Sequence, residues 1–494
     1  MNFKQGILRA RSHIAMIIGL ILASRLVILF KQGLLQARSY IAMIIGLILA
    51  SRLVISFKQG LLQARSHIAM IIGLILASGL VVSLDSWNTD FIAAQPAIFT
   101  YHDDIPLPKS APLNNEERKW AQIAWRYFEN NYQPATGLVN SVQDYPATTL
   151  WDTASYLMAL ISSYHLEIIS HHTFDTKLSQ ALLSLERLDL FADQLPNKSY
   201  NTKTLAMTNY DNSPSPQGIG WSAIDLARLL VPLHIIVWNY PEYAVEVQKI
   251  CSRWQWSALV KNGQLIGTVV RNGKTEYVQE GRLGYEQYAA RATALLGLDV
   301  SIAENAEAYL AFHQQYNIDV PVDRRDAKTF DALNYVVSEP YILNGIEFGS
   351  SRVTNELAWR VYRVQEERYK ATNILTAVSE DHIDQAPYFV YNTVFVNGQF
   401  WKATTDDGQD AEAFKTLSTK TAFGWYAMYR TEYTNQLLDN VKSLHDPQRG
   451  WYAGIYEKNG KPNQALTANT NGIVLESLAA MQFGRLIKVY NKAD

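Results

Sequence analysis

Cysteine is almost missing from this chain of 494 residues. Its single copy, Cys251, excludes an internal disulfide and any multi-cysteine zinc site. It also excludes lipid attachment to a cysteine behind an N-terminal leader, because none stands there. Ile250, Trp254 and Trp256 surround it and predict a buried, inert thiol. Acidic residues are missing from the first 84 positions, which hold nine Lys and Arg and no Asp or Glu. The formal charge of −2 therefore hides two unlike parts, a basic apolar leader and a body with 35 basic against 46 acidic residues. Such a body, with no Lys/Arg cluster, excludes binding to a nucleic-acid backbone. Also absent are a series of βαβ units, a nucleophile elbow around serine and a Gly-rich phosphate loop. Gly281-Arg282-Leu283-Gly284 has bulky residues between its glycines and no phosphate-binding Lys after it. The ten histidines show no metal-ligand spacing. The acidic stretch Asp406-Asp407-Gly408-Gln409-Asp410 with Glu412 misses the calcium-loop spacing and reads as an exposed loop. Neither a metal nor a cofactor is expected.

The leader repeats with a period of 27 residues, opened by Phe3, Phe30 and Phe57. Copies two and three are nearly identical, as expected of a recent in-frame duplication. Each copy is a basic flank followed by an apolar run, unlike a solenoid repeat. The third copy is uncharged from Ile68 to Leu84, about the minimum length for a membrane span. Lys58 and Arg65 precede it, whereas Asp85 and Asp90 follow, so the positive-inside rule puts the body on the extracytoplasmic side. Arg25 and Arg52 interrupt the first two copies at a cost of a few kcal/mol each at mid-bilayer. One span or three leave the body outside; two would put it in the cytoplasm. An uncleaved anchor is the expectation, with cleavage near Ala77–Gly79 as the alternative. The body would then sit on the periplasmic side of a bacterial inner membrane, with the membrane as its partner through the leader.

Three segments follow: 1–84 as leader, 85–113 as a linker rich in proline (Pro96, Pro106, Pro108, Pro112), and 114–494 as the folded domain. Asn114 before Glu116 and Glu117 marks a helix start. Apolar periodicity predicts helices at 115–131, 150–170, 175–190, 221–238, 241–257, 285–297, 302–315, 354–371, 411–438 and 469–490. The Asn-Gly pairs at 262–263, 272–273 and 397–398 predict β-hairpins near 259–278 and 388–402. Ten to twelve helices in pairs joined by long loops fit an all-α (α/α) toroid with small β-hairpin insertions, preceded by an apolar helical membrane leader. In such a barrel the loops gather on one rim.

Aromatic residues make up 12% of the chain, with 28 Tyr and 12 Trp. Several stand beside polar loop residues: Trp151, Trp221, Tyr285, Tyr341, Tyr388 and Trp451. Flat rings with polar tips suit sugar faces, so these are candidate substrate-binding residues, against the simpler reading that they fill the core. Glycoside cleavage needs two carboxyl groups, one protonated near neutral pH. Carboxylates in apolar or aromatic settings, where burial raises a pKa, are Asp152, Asp225, Glu280, Glu286, Glu339, Glu380 and Asp381. Each is also a candidate helix cap or partner for a nearby arginine.

The stretches 148–156 (around Trp151-Asp152), 279–288 (Glu280 to Tyr288), 338–341 (Ser338-Glu339-Pro340-Tyr341), 379–382 (Ser379 to His382) and 467–472 (Thr467 to Gly472) resemble the bacterial family called domain of unknown function 3131. The resemblance covers roughly residues 114–488. It implies kinship with six-hairpin glycosidases and hence an (α/α)6 toroid, without implying an activity. A second likeness is to glycoamylase-like and β-1,2-glucanase domains. Leu283-Gly284-Tyr285-Glu286-Gln287-Tyr288 is similar to their Tyr-x-Glu-Tyr helix start, and Ser222-Ala223-Ile224-Asp225 to their Ser-x-x-Asp start. These imply that Glu286 and Asp225 are the leading catalytic pair; Glu280, Glu339, Glu380 and Asp381, from the reading of the acids above, are the further catalytic candidates, and Asp152 is a candidate for binding substrate. At the last helix the relatives have Asp before Gly, whereas this chain has Asn471, which can be neither acid nor base and is expected to bind substrate instead.

Two functions compete. One is a periplasmic, membrane-anchored glycoside hydrolase or transglycosylase acting on a bacterial β-glucan or exopolysaccharide. The other is a non-catalytic glycan-binding or polysaccharide-assembly protein, which Asn471 favours. A polysaccharide lyase on the same fold is a third option. In the two leading readings the ligand is a polysaccharide or oligosaccharide.

Overall fold

The computed structural model describes residues 100–488 apart from 103, 331 and 350. The chain divides into Met1–Ile92 and Ala93–Asp494. The leader and its expected membrane span lie outside the described residues. Among those described, no single helix is long and apolar enough to cross a membrane.

Among the described residues, and apart from the single turn Ala327–Phe330, twelve helices in chain order alternate between an outer and an inner layer. The outer ones are α1 (Asn115–Asn131), α3 (His171–Arg187), α5 (Ala244–Arg253), α7 (Ser301–Glu304), α9 (Arg352–Thr372) and α11 (Glu432–Val441). The inner ones are α2 (Leu150–His165), α4 (Ala223–Asn239), α6 (Tyr285–Ala294), α8 (Glu339–Leu343, continued by a π-turn Asn344–Phe348), α10 (Thr419–Tyr429) and α12 (Ala468–Phe483). Helix α2 packs on α4, α4 on α6, α6 on α8, α8 on α10, α10 on α12 and α12 on α2, which closes a ring. Each outer helix covers an inner one, as α1 covers α2 and α12, and α9 covers α8. This is the expected (α/α)6 toroid, a largely helical fold.

The layer is written in the composition of each helix. Helices α2, α4 and α12 bury residues around most of their circumference, polar ones included, because an inner helix meets neighbours, ring centre and outer layer at once. Helix α4 with the segment after it, Pro241–Arg253, passes a membrane test on length and composition as a bent pair, but α4 is this buried core helix. Outer helices such as α1 and α11 bury one stripe only. Their starts are capped as the sequence suggests: Asn114 accepts from the backbone of Glu116 and Glu117, and Glu117 closes a capping box. Thr149, Ser222 and Thr467 cap α2, α4 and α12 by accepting from the backbone of Asp152, Asp225 and Thr470.

Three expectations differ from the structure. Residues 302–315 are not one helix: Ser301–Glu304 is a single turn, and Leu310–Gln315 is a strand paired with Ile318–Asp323. Its turn uses Tyr316 and Asn317, both left-handed, with no glycine to announce it. Residues 411–438 are not one helix: Glu412–Phe414 is a 3-10 turn, Thr416–Ser418 is a strand, and the helix that starts at Thr419 breaks at Arg430 and is followed by a second one from the Thr431 capping box. The inner helix α8 was not expected; it is short and opens on Pro340, where a missing N–H costs nothing. The hairpins at 262–263, 272–273 and 397–398 form as expected, with left-handed Asn and Gly in each turn. Cys251 is half-buried and free, and burial pushes its thiol up to about 11.

A polar cluster occupies the centre of the ring. The guanidinium of Arg228 on α4 donates to Glu347 of the π-turn, to Glu476 of α12 at 2.7 Å and to the hydroxyl of Tyr288 on α6 at 2.8 Å. Tyr288 donates to the other oxygen of Glu347 at 2.7 Å. Arg228, Glu347 and Glu476 are wholly inaccessible to solvent. Burial, reinforced by Glu347 against the pull of Arg228, holds the Glu476 carboxyl well above its ordinary range. One guanidinium cannot neutralise two buried carboxylates, so Glu476 keeps its proton. Replacing Arg228 by Met strands Glu347 without a counter-charge. The expected loss is about 3–5 kcal/mol of unfolding free energy, measured by urea denaturation; a loss within that of an average surface substitution would contradict the assignment.

Candidate active site

Because inner and outer helices alternate in direction, all six inner helices begin on the same rim. Their first turns carry most of the candidate residues: Trp151 and Asp152 on α2, Asp225 on α4, Tyr285 and Glu286 on α6, Glu339 on α8, Lys420 on α10 and Asn469 on α12. Six helix N-termini facing one space favour negative charge there, which helps to explain why so many carboxylates collect in it.

Trp151 forms the floor. Its indole N–H donates to Glu339 Oε1 at 3.1 Å and to Asn469 Oδ1 at 3.3 Å. Its ring meets Tyr285 edge-on at 5.4 Å between centroids and lies over the guanidinium of Arg228 at 5.2 Å. The core cluster therefore supports the floor directly, through a cation–π contact. Glu339 also accepts from Asn469 Nδ2 at 3.1 and 3.0 Å and pairs with Lys420 Nζ at 2.5 Å. Lys420 reaches Asp381 at 3.5 Å. Burial would pull the Lys420 ammonium down, but Glu339, Asp381 and Glu380 outweigh it and hold the amine above its ordinary range.

A single lysine does not balance the acids around it. Burial pushes Glu380 and Asp381 each up to about 7, with Lys420 opposing. Asp381 is driven up further by Glu380 and Glu339, while Ser418 opposes the rise together with Lys420. Asp152 rises to about 6 through burial and its neighbour Glu339, although Thr149 donates to it at 3.0 Å.

The second acidic group lies at the start of α4. The Ser222 hydroxyl is 2.7 Å from Glu280 Oε1 and 3.1 Å from Asp225 Oδ1. The backbone N–H of Ala223 donates to Glu280 Oε2 at 2.6 Å. A β-carbon at Gly267 would collide with that oxygen, so glycine there leaves room for the carboxylate. Burial raises both acids. Lys198, Ser222 and the α4 N-terminus oppose the rise for Glu280, whereas Asp225 is driven further by Glu280 and reaches about 7. Two acids whose surroundings separate them in this way can divide into a proton donor and a carboxylate. Asp225 remains partly open to solvent, as do Glu280, Trp151, Tyr285 and Asn469.

Several expected residues lie elsewhere. Glu286 starts α6, on the rim next to Asp225, but its carboxylate is used internally: Arg325 donates to one oxygen and Gln279 to the other at 2.9 Å. Asp323 accepts from the same Arg325 at 2.6 and 2.9 Å. With 1% of its surface exposed, Glu286 would have to break this pair to reach a ligand, so direct acid or base chemistry does not fit it. Trp221 and Trp451 are wholly buried, donating to the carbonyls of Ile266 and Trp120; they pack the core and cannot stack on sugar. Asn471 is equally buried and both accepts from and donates to the backbone of Trp451, against Gly450, where a side chain would strike it. It fixes a strand and, being wholly buried, has no face open to a ligand. Tyr341 is buried against Gly284. Tyr388 is exposed on a loop after Asp381.

Lys420, Asn469 and Arg325 were not anticipated. Lys420 had a faint signal as a lone charge in the apolar run Thr419 to Tyr429, and Asn469 stood in the same motif as Asn471. Nothing in the sequence paired Arg325 with Glu286. Among the described residues no group of three or more His, Cys, Asp or Glu is arranged to hold a metal ion.

The model of the family described as protein of unknown function (DUF3131) matches residues 119–484. No curated protein matches the sequence. Among solved structures, the chain is similar to the endo-β-1,2-glucanase of Chitinophaga pinensis, determined with sophorotriose and glucose, at 12% identity and a TM-score of 0.55, over 75% of this chain and 92% of that one. It is also similar to the β-1,2-glucanase of Parabacteroides distasonis at 10% identity and a TM-score of 0.50, over 76% of this chain and 58% of that one. At such identities the likeness establishes the fold, that of the six-hairpin glycosidases.

Lys420 supplies a direct test of the site's electrostatics. Lys420→Met removes the cation that opposes the rise of the buried Asp381, so that carboxyl binds its proton still more tightly when folded than when unfolded. Stability is then lost as pH rises above the ordinary carboxylate range near 4. The variant should lose more melting temperature relative to wild type at pH 8 than at pH 5; an equal loss at both would refute the pairing.

Proposed function

This chain belongs to the family of proteins of unknown function DUF3131, and we propose that it is a glycoside hydrolase or transglycosylase acting on a bacterial β-glucan or exopolysaccharide. The observation that carries this is the pairing of Asp225 with Glu280 at a partly open rim whose floor is the Trp151 ring. Asp225, raised to about 7, is protonated in about half of the molecules at neutral pH and can deliver that proton to the leaving glycosidic oxygen. Glu280, fixed by Ser222 and the backbone of Ala223, keeps that proton on Asp225 by repulsion. Glu339, held by Trp151, Asn469 and Lys420, offers the fixed negative charge that an oxocarbenium-like transition state needs. Solved β-1,2-glucanases share the fold, which makes linear β-1,2-glucan the first substrate to try. The basic flank and apolar run before Leu84 would hold this body on the periplasmic face of an inner membrane.

A glycan-binding or assembly role is the second reading, favoured by the engagement of Glu286 with Arg325. The two separate by turnover. Full-length protein should release reducing ends from linear β-1,2-glucan, and Asp225→Asn should lower kcat by about 10²–10⁴-fold. Because Asp225 must be protonated, kcat should fall about tenfold per pH unit above about 7. Binding of the glycan without turnover, unchanged in Asp225→Asn and Glu339→Gln, would support the second reading.

A further inference from the structure

A cavity of about 530 Å³ lies between the hairpin Leu310–Asp323 and the turn at Asn397-Gly398. Its lining includes Phe395, His313, Asn334, Arg324 and Lys328. The volume suits a sugar residue or two. Two acids also line it. Asp323 is already matched by Arg325 and by the backbone of Leu283 at 2.9 Å, and Asp326 has a partner of its own. The side chains of Arg324 and Lys328, by contrast, make no ion pair or hydrogen bond among the described residues. Both are exposed on the cavity wall, where an anion entering the cavity would meet them.

The wall of the cavity is tied to the start of α6 by buried side chains. Asp323 forms part of that wall, Arg325 links Asp323 to Glu286, and Glu286 begins α6. We propose that this cavity is a subsite for an anionic substituent of the glycan, a carboxylate or a phosphate carried on a sugar ring, bound by Arg324 and Lys328 while the uncharged backbone lies over Trp151. This deepens the glycan reading and rests on it. Phe395 offers an apolar face for the ring, and a guanidinium with an ammonium suits an anion of either geometry. The acidic rim and the cavity with its two exposed cations would then read different parts of one ligand.

Isothermal titration at low salt with the full-length protein tests this, using three probes: β-linked triglucuronic acid, the corresponding neutral trisaccharide cellotriose, and glucose 6-phosphate beside glucose. The charged trisaccharide should bind about tenfold more tightly than the neutral one, the effect of one charge-assisted hydrogen bond, and the difference should shrink as salt is raised. In the double variant Arg324→Ala with Lys328→Ala the two affinities should converge, with cellotriose binding unchanged. Both side chains are exposed, so folding should survive, and a melting curve checks it. Preference for glucose 6-phosphate over glucose without preference for the glucuronate would assign the site to phosphate; the converse would assign it to carboxylate. Equal affinity for charged and neutral ligands, or a preference that persists in the double variant, overturns the subsite. The glycan reading survives that result if cellotriose binds or β-1,2-glucan is cleaved, and fails separately if neither occurs.

Discussion

The Arg228 guanidinium, enclosed at the centre of the ring, is the interaction on which the rest depends. It joins α4 to α6 through Tyr288, to the π-turn through Glu347 and to α12 through Glu476. A ring of six helices packed only by apolar contacts could close at several radii and rotations with little difference in energy. A buried charge with three fixed partners removes that freedom, since any helix that turns away leaves a polar group unsatisfied. The π-turn after α8 belongs to the same logic: widening the helix at Asn344–Phe348 brings Glu347 inward, and π-turns of this kind recur at functional positions. The cluster reaches upward as well, because Trp151 lies on Arg228 and presents its indole N–H to Glu339.

Above this core the molecule crowds together like charges that a stability-driven fold would separate. Asp152, Asp225, Glu280, Glu339, Glu380 and Asp381 surround one rim, with Lys420 and Lys198 as the nearby cations. Six helix N-termini reduce the cost, and protonation near neutral pH reduces it further at Asp225, Glu380 and Asp381, each raised to about 7. Clusters of this kind are concentrated where proton transfer is needed. The aromatic residues divide by depth: Trp151 and Tyr285 remain accessible, whereas Trp221 and Trp451 support the wall from behind. Burial therefore separates candidate sugar contacts from core residues with similar sequence surroundings.

Much of this was readable in advance. The apolar periodicity of α1, α2, α4 and α12 located those helices closely, and the three Asn-Gly turns located the hairpins, because each rests on interactions within a few residues. The carboxylates of the site were visible as acids beside aromatic or capping residues. Helix α8 escaped because a five-residue helix continued by a π-turn carries too little periodicity to register. The strand at Leu310–Gln315 escaped because Tyr316 and Asn317 make the turn without glycine. Glu286 matched a motif and still proved to be committed to Arg325, 39 positions later, a pairing that local pattern cannot reveal.

By itself, the sequence determined a basic apolar leader joined to an acidic, aromatic-rich helical body, with its acids placed at helix starts. These are properties of composition and of spacing over three or four residues, and they need no knowledge of the chain's distant parts. Tertiary structure alone decided which acids share a rim, which of them has a cation, and which tryptophans are accessible. Those outcomes depend on contacts between residues hundreds of positions apart, such as Trp151 with Asn469. They also depend on burial, which sets the free energy of each charge by its surroundings in space rather than by its neighbours along the chain.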